Sequence, residues 1–259
     1  MSSNWALYDS LIDGIPDNLT VDECIIGLHW TFVRSGNYVG IAMTFQGSSV
    51  SGLANGPFVG KSLRMVASGV KSWDMLQASV GMAACNAWYN STEKMEALCL
   101  GSPKGQSDSG GSVFNESLES LVGKKIAVIG HFPYIEKQLG NKCTLSVLER
   151  EPEGLDYLDT ACEFILPEQD FVYITGMTLT NKTLPRLLIL CQSAKTTLVG
   201  PSSPITPTLF NYGVNCIAGF YITDIDLARS LVSQAAHTEI FKCGRRITFS
   251  DSSTNERSE

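Results

Sequence analysis

Residues 125–133 read Lys-Ile-Ala-Val-Ile-Gly-His-Phe-Pro. A short apolar run that ends in glycine is typical of a strand buried on both faces of a parallel sheet. Similar apolar runs follow at residues 144–148, 171–175, 196–200 and 216–222. Segments with helical spacing lie between the runs, at residues 133–139, 155–165, 183–191, 205–212 and 224–236. This alternation predicts an α/β domain over residues 116–249, a parallel sheet with helices packed on it, closed by an edge strand at residues 246–249.

The chain before this domain follows a different pattern. Helical spacing predicts a helix over residues 4–15 and two more over residues 61–70 and 72–89. Residues 21–33 and 38–45 favour strands, and the Ser-Gly-Asn sequence between them predicts a hairpin turn. We interpret residues 1–115 as a smaller α+β domain that ends in a flexible, polar, glycine-rich linker at about residues 90–112. The polar residues 250–259 are expected to be a disordered tail.

Charge and hydropathy exclude several classes of partner. The 259 residues include 19 Lys+Arg and 26 Asp+Glu, a formal net charge of −7, which argues against a nucleic-acid-binding surface. An apolar stretch of about 18 residues, as a membrane-spanning helix requires, is absent from the sequence. The N-terminus lacks the basic and apolar segments of a secretory signal, so we expect a cytoplasmic protein without a membrane partner. The oligomeric state stays open, and a homo-oligomer is one alternative.

The cysteines do not form a recognisable metal or redox motif. Each of the eight is more than four residues from the next, so the sequence contains no Cys-x-x-Cys pair. Free cysteine is among the most frequently buried residue types. We therefore expect most of these side chains to be reduced and buried in the core.

The ends of the predicted strands supply the candidate ligand-binding residues. Ligands of open α/β sheets bind beyond the carboxyl ends of the strands, where glycine permits close approach and hydroxyl or amide side chains cap helices. The candidates from the four strand ends are Gly130, His131, Phe132, Pro133, Glu149, Gly176, Thr178, Asn181, Thr183, Gly200, Pro201 and Ser202. If the first domain closes over this edge, Lys61 and Asn86 should contribute to the same site.

The acidic segment after the second strand raises the question of a metal site. Six carboxylates lie between Glu149 and Glu163. Carboxylates together with an imidazole suit divalent cations, which makes Glu149, Glu151 and His131 the candidate metal ligands. A solvated acidic loop is the alternative. No cofactor can be named from the sequence beyond a divalent or heavy-metal ion.

A nucleotide site is the other alternative for this edge. Glu149 lies nineteen residues after Gly130, near the position where an acidic residue binds a ribose hydroxyl in dinucleotide-binding folds. The glycines of the G-x-G-x-x-G motif are missing after Gly130, which argues against NAD or FAD. S-adenosylmethionine or another nucleoside remains open as a ligand.

The strand-end motifs taken together resemble one protein family. Residues 124–133, 148–152, 166–170, 174–176, 181–183 and 200–204 are similar to the "putative heavy-metal chelation" family, a prokaryotic domain-of-unknown-function group. The resemblance covers essentially the whole chain. It implies an enolase N-terminal-like domain followed by a Rossmann-like domain, with a site in the cleft between them. The family has no established reaction, so the resemblance leaves open whether the protein is an enzyme.

Three hypotheses follow for the function. The first is a protein that binds a small polar or metal-bearing ligand in the interdomain cleft, in heavy-metal chelation or metal handling. The second is an enzyme that acts on a nucleoside or S-adenosylmethionine-like compound, with Glu149 on the ribose and His131 or Lys61 as acid or base. The third is a non-catalytic module that binds a protein partner.

Overall fold

The computed structural model describes residues 5–45, 56–101, 118–132 and 139–251. The N-terminal part contains an antiparallel sheet of three strands in sequence order. These strands are β1 (Glu23–Ile26), β2 (Trp30–Ser35) and β3 (Tyr38–Met43). The helices of this part are α1 (Ala6–Asp13), α2 (Leu63–Ala67), α3 (Met75–Tyr89) and α4 (Thr92–Gly101), with a 3₁₀ turn at Ser68–Lys71.

Residues 21–33, predicted as one strand, form two strands that pair with each other. The chain reverses through Gly27, whose backbone N–H donates to the Trp30 carbonyl at 3.0 Å. A Cβ at residue 27 would lie 2.6 Å from the Val232 carbonyl oxygen. The turn therefore depends on contact with a segment two hundred residues later, which the local apolar pattern does not reveal.

The expectation of a flexible linker from residue 90 is wrong for its first part. Asn90 and Ser91 are only 2% and 3% exposed, and α4 follows them. The Asn90 amide donates to the Ser203 carbonyl at 2.9 Å and to the Phe220 carbonyl at 3.2 Å. Its Oδ1 accepts from the Ile205 N–H at 2.8 Å. The polar residues that suggest a linker therefore form buried hydrogen bonds in this segment. The rest of the predicted linker, residues 102–112, lies outside the described residues.

The C-terminal part contains the larger sheet. Its strands are β4 (Lys125–Ile129), β5 (Thr144–Glu149), β6 (Tyr157–Leu158), β7 (Phe171–Thr175), β8 (Lys195–Val199), β9 (Cys216–Ile222) and β10 (Gly244–Ser250). They lie in the order β10-β9-β8-β7-β4-β5-β6. Every neighbouring pair is parallel except β10 and β9, which are antiparallel. The predicted mixed α/β fold, with a parallel sheet and an added edge strand, is confirmed.

Short helices connect these strands. They are α5 (Cys162–Ile165), α6 (Met177–Thr180), α7 (Leu184–Leu190) and α8 (Ile225–Ser233). The 3₁₀ turns of this part are Leu118–Leu121, Asp159–Ala161, Leu166–Glu168, Pro207–Tyr212 and Thr238–Cys243. Two helix predictions are therefore wrong in detail, since residues 155–165 begin with the short strand β6 and residues 205–212 form only a 3₁₀ turn. No described helix has the length and apolarity needed to cross a membrane.

One hydrophobic cluster includes side chains of both parts of the chain. It runs from α1, where Tyr8 is 1% exposed, to Ile247 in β10. The Tyr8 hydroxyl donates to the Leu179 carbonyl at 3.0 Å, so α1 contacts the segment after β7 directly. The boundary near residue 115 stays a prediction.

The described cysteines are reduced and mostly buried, as predicted. All seven whose side chains the structure describes are free thiols, and each is buried or half-buried. Burial raises the pKa of Cys85 to about 12 and that of Cys24 to about 11. These thiols are therefore protonated at neutral pH, a form that binds metals poorly.

The Asn90 contact predicts a large loss of stability on truncation. Replacing Asn90 by alanine removes three buried hydrogen bonds and leaves two carbonyls and one amide without that partner. We expect the free energy of unfolding to fall by about 3 kcal/mol, measured by urea denaturation. The matched control is Asn211→Ala at an exposed position, where a change within about 0.5 kcal/mol is expected. An equal loss of unfolding free energy in the two variants would contradict the stabilising role of the Asn90 hydrogen bonds.

Candidate functional site

The large sheet has one topological switch point, between β4 and β7. From β4 the chain passes to β5 on one side and later returns to β7 on the other. In open α/β sheets this reversal opens a crevice at the carboxyl ends of the strands, where ligands bind. Gly130 lies there with φ +99°, and a Cβ at this residue would be 3.0 Å from Thr175 Cγ2. Glycine therefore keeps the ends of β4 and β7 in close contact.

Glu149, at the end of β5, is held by two backbone amides. Its Oε2 accepts from the His131 N–H at 2.9 Å, and its Oε1 accepts from the Arg150 N–H at 2.7 Å. The residue is half-buried, and each carboxylate oxygen can accept more than one hydrogen bond. Glu149 is thus fixed in orientation and keeps acceptor capacity for a ligand.

His131 forms a pair with Asp156, a carboxylate that the local sequence does not distinguish from its acidic neighbours. Its Nδ1 lies 3.1 Å from Asp156 Oδ2, which also accepts from the Glu153 N–H at 3.2 Å. The Asp156 side chain is 1% exposed, whereas that of His131 is 40% exposed. A carboxylate at Nδ1 favours the form of His131 in which Nδ1 carries the hydrogen. Nε2 is then the ring atom that can accept a proton or coordinate a metal.

The loop after β8 contacts the N-terminal part of the chain and packs against the end of β7. A Cβ at Gly176 would lie 2.5 Å from Ser203 Oγ. Ser202 Oγ accepts from the Met43 N–H at 2.9 Å, and the buried Thr178 donates to the Thr175 carbonyl at 2.7 Å. These candidates lie in a packed interface.

Asn86 also lies in this interface. It is fully buried, and its amide donates to the Ile41 carbonyl at 2.8 Å and to the Pro201 carbonyl at 3.1 Å. The helix α3 is thereby connected both to the small sheet and to the loop after β8. These hydrogen bonds hold the two parts of the chain together.

The remaining candidate ligand-binding residues have local contacts that differ from one to the next. Asn181 Oδ1 accepts from the N–H and the hydroxyl of Thr183, a local turn before α7. Lys61 Nζ lies 5.9 Å from the centroid of the Phe58 ring. Gly200 has φ +106° and open space where a Cβ would project. Phe132 is half-buried against a hydrophobic cluster, and Pro133 lies outside the described residues.

The structure therefore brings Gly130, His131 and Glu149 together and adds Asp156 and Thr175. Roles in ligand binding for Gly176, Thr178, Pro201, Ser202 and Asn86 stay predictions. The proposed metal ligands do not form a complete set: within the described ranges, no group of three or more His, Cys, Asp or Glu residues could hold a metal ion. Glu151 is exposed on the loop after β5.

Asp156 was missed because nothing in its local sequence separates it from neighbouring acids. Asp156 is one of six carboxylates from Glu149 to Glu163. What distinguishes Asp156 is its place directly before β6, a two-residue edge strand. Such a short strand has no periodic pattern that a sequence analysis could detect.

This architecture defines a class: a Rossmann-like α/β protein preceded by a smaller α+β part, with a candidate site at the sheet's carboxyl edge. Residues 8–89 and residues 112–250 each match a family described as "Putative heavy-metal chelation". The chain belongs to this family.

Known relatives agree with the assignment. An uncharacterised protein of Methanocaldococcus jannaschii is 32% identical over 191 residues, which cover 71% of this chain and 70% of that protein. A crystal structure of a protein of unknown function from the same family, from Desulfitobacterium hafniense, has 39% identity and a TM-score of 0.87. It covers 95% of this chain and 98% of its own. A second, from Pyrococcus horikoshii, has 21% identity, a TM-score of 0.78 and the same coverage, which supports the fold.

The amide contacts of Glu149 lead to a stability prediction. Glutamine is neutral and accepts through only one terminal atom, so the His131 and Arg150 N–H groups both lose a charged acceptor and one of them faces an amide nitrogen. We expect Glu149→Gln to lower the free energy of unfolding by about 1–2 kcal/mol in urea denaturation at pH 7. The control is Glu151→Gln at the exposed neighbouring position, where little change is expected. A loss in the control as large as in Glu149→Gln would refute the role of the amide contacts.

The Asp156 contact leads to a prediction about the His131 ring. In the wild type, imidazole ¹⁵N NMR should report His131 protonated at Nδ1 when the ring is neutral. Asp156→Asn replaces the carboxylate by a neutral amide and should shift the ring toward the Nε2-protonated tautomer. Asp159→Asn, in the same segment, should leave the tautomer unchanged. A wild-type ring protonated mainly at Nε2 would show that the pair does not act as described.

Proposed function

We propose that this protein binds a small polar ligand at the carboxyl edge of its large sheet, over the ends of β4 and β5. The observation that carries the proposal is the convergence of His131 and Glu149 beside the switch point. Both side chains are held by neighbouring groups and retain unused hydrogen-bonding capacity. Such preorganised polar groups are what small-ligand sites in α/β proteins use for orientation and specificity.

The chemistry of these groups indicates what the ligand carries. Glu149 offers carboxylate lone pairs, and His131 offers Nε2 at a partly exposed ring. Further carboxylates follow Glu149 in the sequence, so the local field favours a neutral or cationic ligand over an anionic one. A ligand with hydroxyl or amine donors fits these features. In the metal-bearing form of the proposal, the ion arrives with its own small ligand, and His131 and Glu149 contact that complex from one side.

A nucleoside or S-adenosylmethionine-like compound is the second candidate ligand. The observation that favours it is the place of Glu149 at the end of β5, the strand that pairs with β4 in register through Ile129 and Leu148. An acidic residue at the end of this strand binds ribose hydroxyls in dinucleotide-binding folds. In that case, His131 would be the acid or base of a reaction on the ligand.

Isothermal titration with a defined panel tests the proposal. The panel comprises adenosine, S-adenosylmethionine, small polyols and ethylenediamine complexes of divalent metals, none of which is anionic. At least one compound should bind the wild type, and Glu149→Ala and His131→Ala should each weaken its binding at least tenfold, or about 1.4 kcal/mol. The control is Glu168→Ala, because Glu168 pairs with Lys125 at the opposite end of β4.

The outcomes separate the candidates. Binding of the nucleosides supports the second, and binding of the polyols or metal complexes alone supports the first. A ligand that binds the wild type, Glu149→Ala and His131→Ala with equal affinity would contradict both. Failure of the wild type to bind any compound of the panel would also contradict both candidates.

A further inference from the structure

The other two histidines of the chain meet at the surface beside α8. His29 lies in the turn between β1 and β2, and His237 follows α8, 208 residues later in the sequence. Their ring centroids are 4.8 Å apart, with an angle of 41° between the ring planes. His29 is half-buried and His237 is exposed. The chain has only three histidines, so two of them share this contact.

The backbones of both histidines are fixed by hydrogen bonds. The His29 carbonyl accepts from the Thr44 N–H at 2.9 Å. The His237 carbonyl accepts from the indole N–H of Trp30 at 2.9 Å, and Trp30 is only 3% exposed. The two rings are therefore brought together by the fold and not by the pairing of the rings alone.

The packing beneath the pair supports this arrangement. A buried hydrophobic cluster joins β2 and β3 to β9, α8 and the 3₁₀ turn Thr238–Cys243. Trp30 and Phe220 both make edge-on ring contacts with Phe241, with centroids 6.5 Å and 5.5 Å apart. The close approach of Gly27 to the Val232 carbonyl holds the β1–β2 turn against the end of α8. The histidine pair thus lies at the rim of a well-packed junction.

We propose that His29 and His237 form a binding site for a divalent transition-metal ion. Neutral imidazole is a preferred ligand of Zn²⁺, Ni²⁺ and Cu²⁺. Metal–nitrogen distances of about 2.0–2.1 Å place two coordinating ring nitrogens roughly 3–4 Å apart. Each ring nitrogen lies about 1.1 Å from its ring centroid, so rings with centroids 4.8 Å apart can present one nitrogen each at that spacing. One nitrogen of each ring coordinates the ion, and water completes its coordination sphere.

Binding at this site has a structural consequence. The ion joins the small sheet to the segment after α8, and the unfolded chain does not hold the two histidines together. A ligand that binds the native state selectively stabilises it by mass action. The site is separate from His131 and Glu149, so it does not depend on the function proposed above.

Titration with Ni²⁺ tests the site. Isothermal titration calorimetry is done on the wild type and on His29→Gln, His237→Gln and His131→Gln, with circular dichroism to confirm that each variant is folded. The wild type should bind one Ni²⁺ ion. His29→Gln and His237→Gln should each bind at least tenfold more weakly, and His131→Gln should bind like the wild type.

Thermal unfolding gives a second readout. At a free Ni²⁺ concentration of about ten times Kd, the Tm of the wild type should rise by roughly 3–6 °C, and EDTA should reverse the rise. His237→Gln should show no such rise. The proposal is overturned if millimolar Ni²⁺ does not bind the wild type, if His237→Gln retains wild-type affinity, or if His131→Gln is the variant that loses binding.

Discussion

The arrangement of the molecule depends on two buried asparagine side chains at the end of α3. Asn86 and Asn90 are four residues apart, so they lie on the same face of the helix. Their amides donate to the Pro201 and Ser203 carbonyls, in the loop that follows β8. A buried carbonyl without a partner is costly, so these contacts favour one position of α3 over the end of the sheet. The two parts of the chain are fixed relative to each other by polar contacts within an apolar surrounding.

This docking divides the carboxyl edge of the large sheet. Pro201 and Ser202, after β8, contact α3 and β3, and Gly176, after β7, packs against Ser202 and Ser203, which makes that half of the edge a packed interface. The ends of β4 and β5 present His131 and Glu149, whose side chains are half-buried or exposed. The candidate site is therefore narrower than a cleft along all four strand ends. Its polar groups are organised around one carboxylate, Glu149, and one histidine–aspartate pair.

Much of the fold could be predicted because it follows from local hydrophobic patterns. The strands β4, β7 and β9 are largely buried apolar runs, and β5 and β8 each contain a buried apolar pair near their carboxyl ends. Runs of this kind can be recognised in the sequence. The edge strand β10 includes the predicted residues 246–249 and is more polar, with Arg245 and Arg246 exposed. The small strand β6 and the division of β1 from β2 have no such pattern, because they are set by contacts with distant residues. The family resemblance, carried by the strand-end motifs together, is confirmed by the matches over residues 8–89 and 112–250.

The candidate site was predicted only in part. Glu149 is the last residue of β5 and His131 is the second residue after β4, so their place at the sheet edge follows from the strand prediction. Asp156 and Asn90 resemble exposed loop residues in sequence, and only tertiary packing buries them. The sequence shows which side chains are polar, but it does not show which of them form buried hydrogen bonds in the folded protein. For this reason the linker prediction failed at Asn90, and the partner of His131 went unrecognised.

Native-state hydrogen exchange tests most directly whether docking closes one half of the edge and leaves the other open. The amides of Met43 and Ile205 donate to Ser202 and Asn90 inside the interface, whereas those of His131 and Arg150 donate to the half-buried Glu149. The account predicts that Met43 and Ile205 exchange only through global unfolding, and that His131 and Arg150 exchange faster, through local opening. Exchange of Met43 and Ile205 as fast as that of His131 and Arg150 would contradict it.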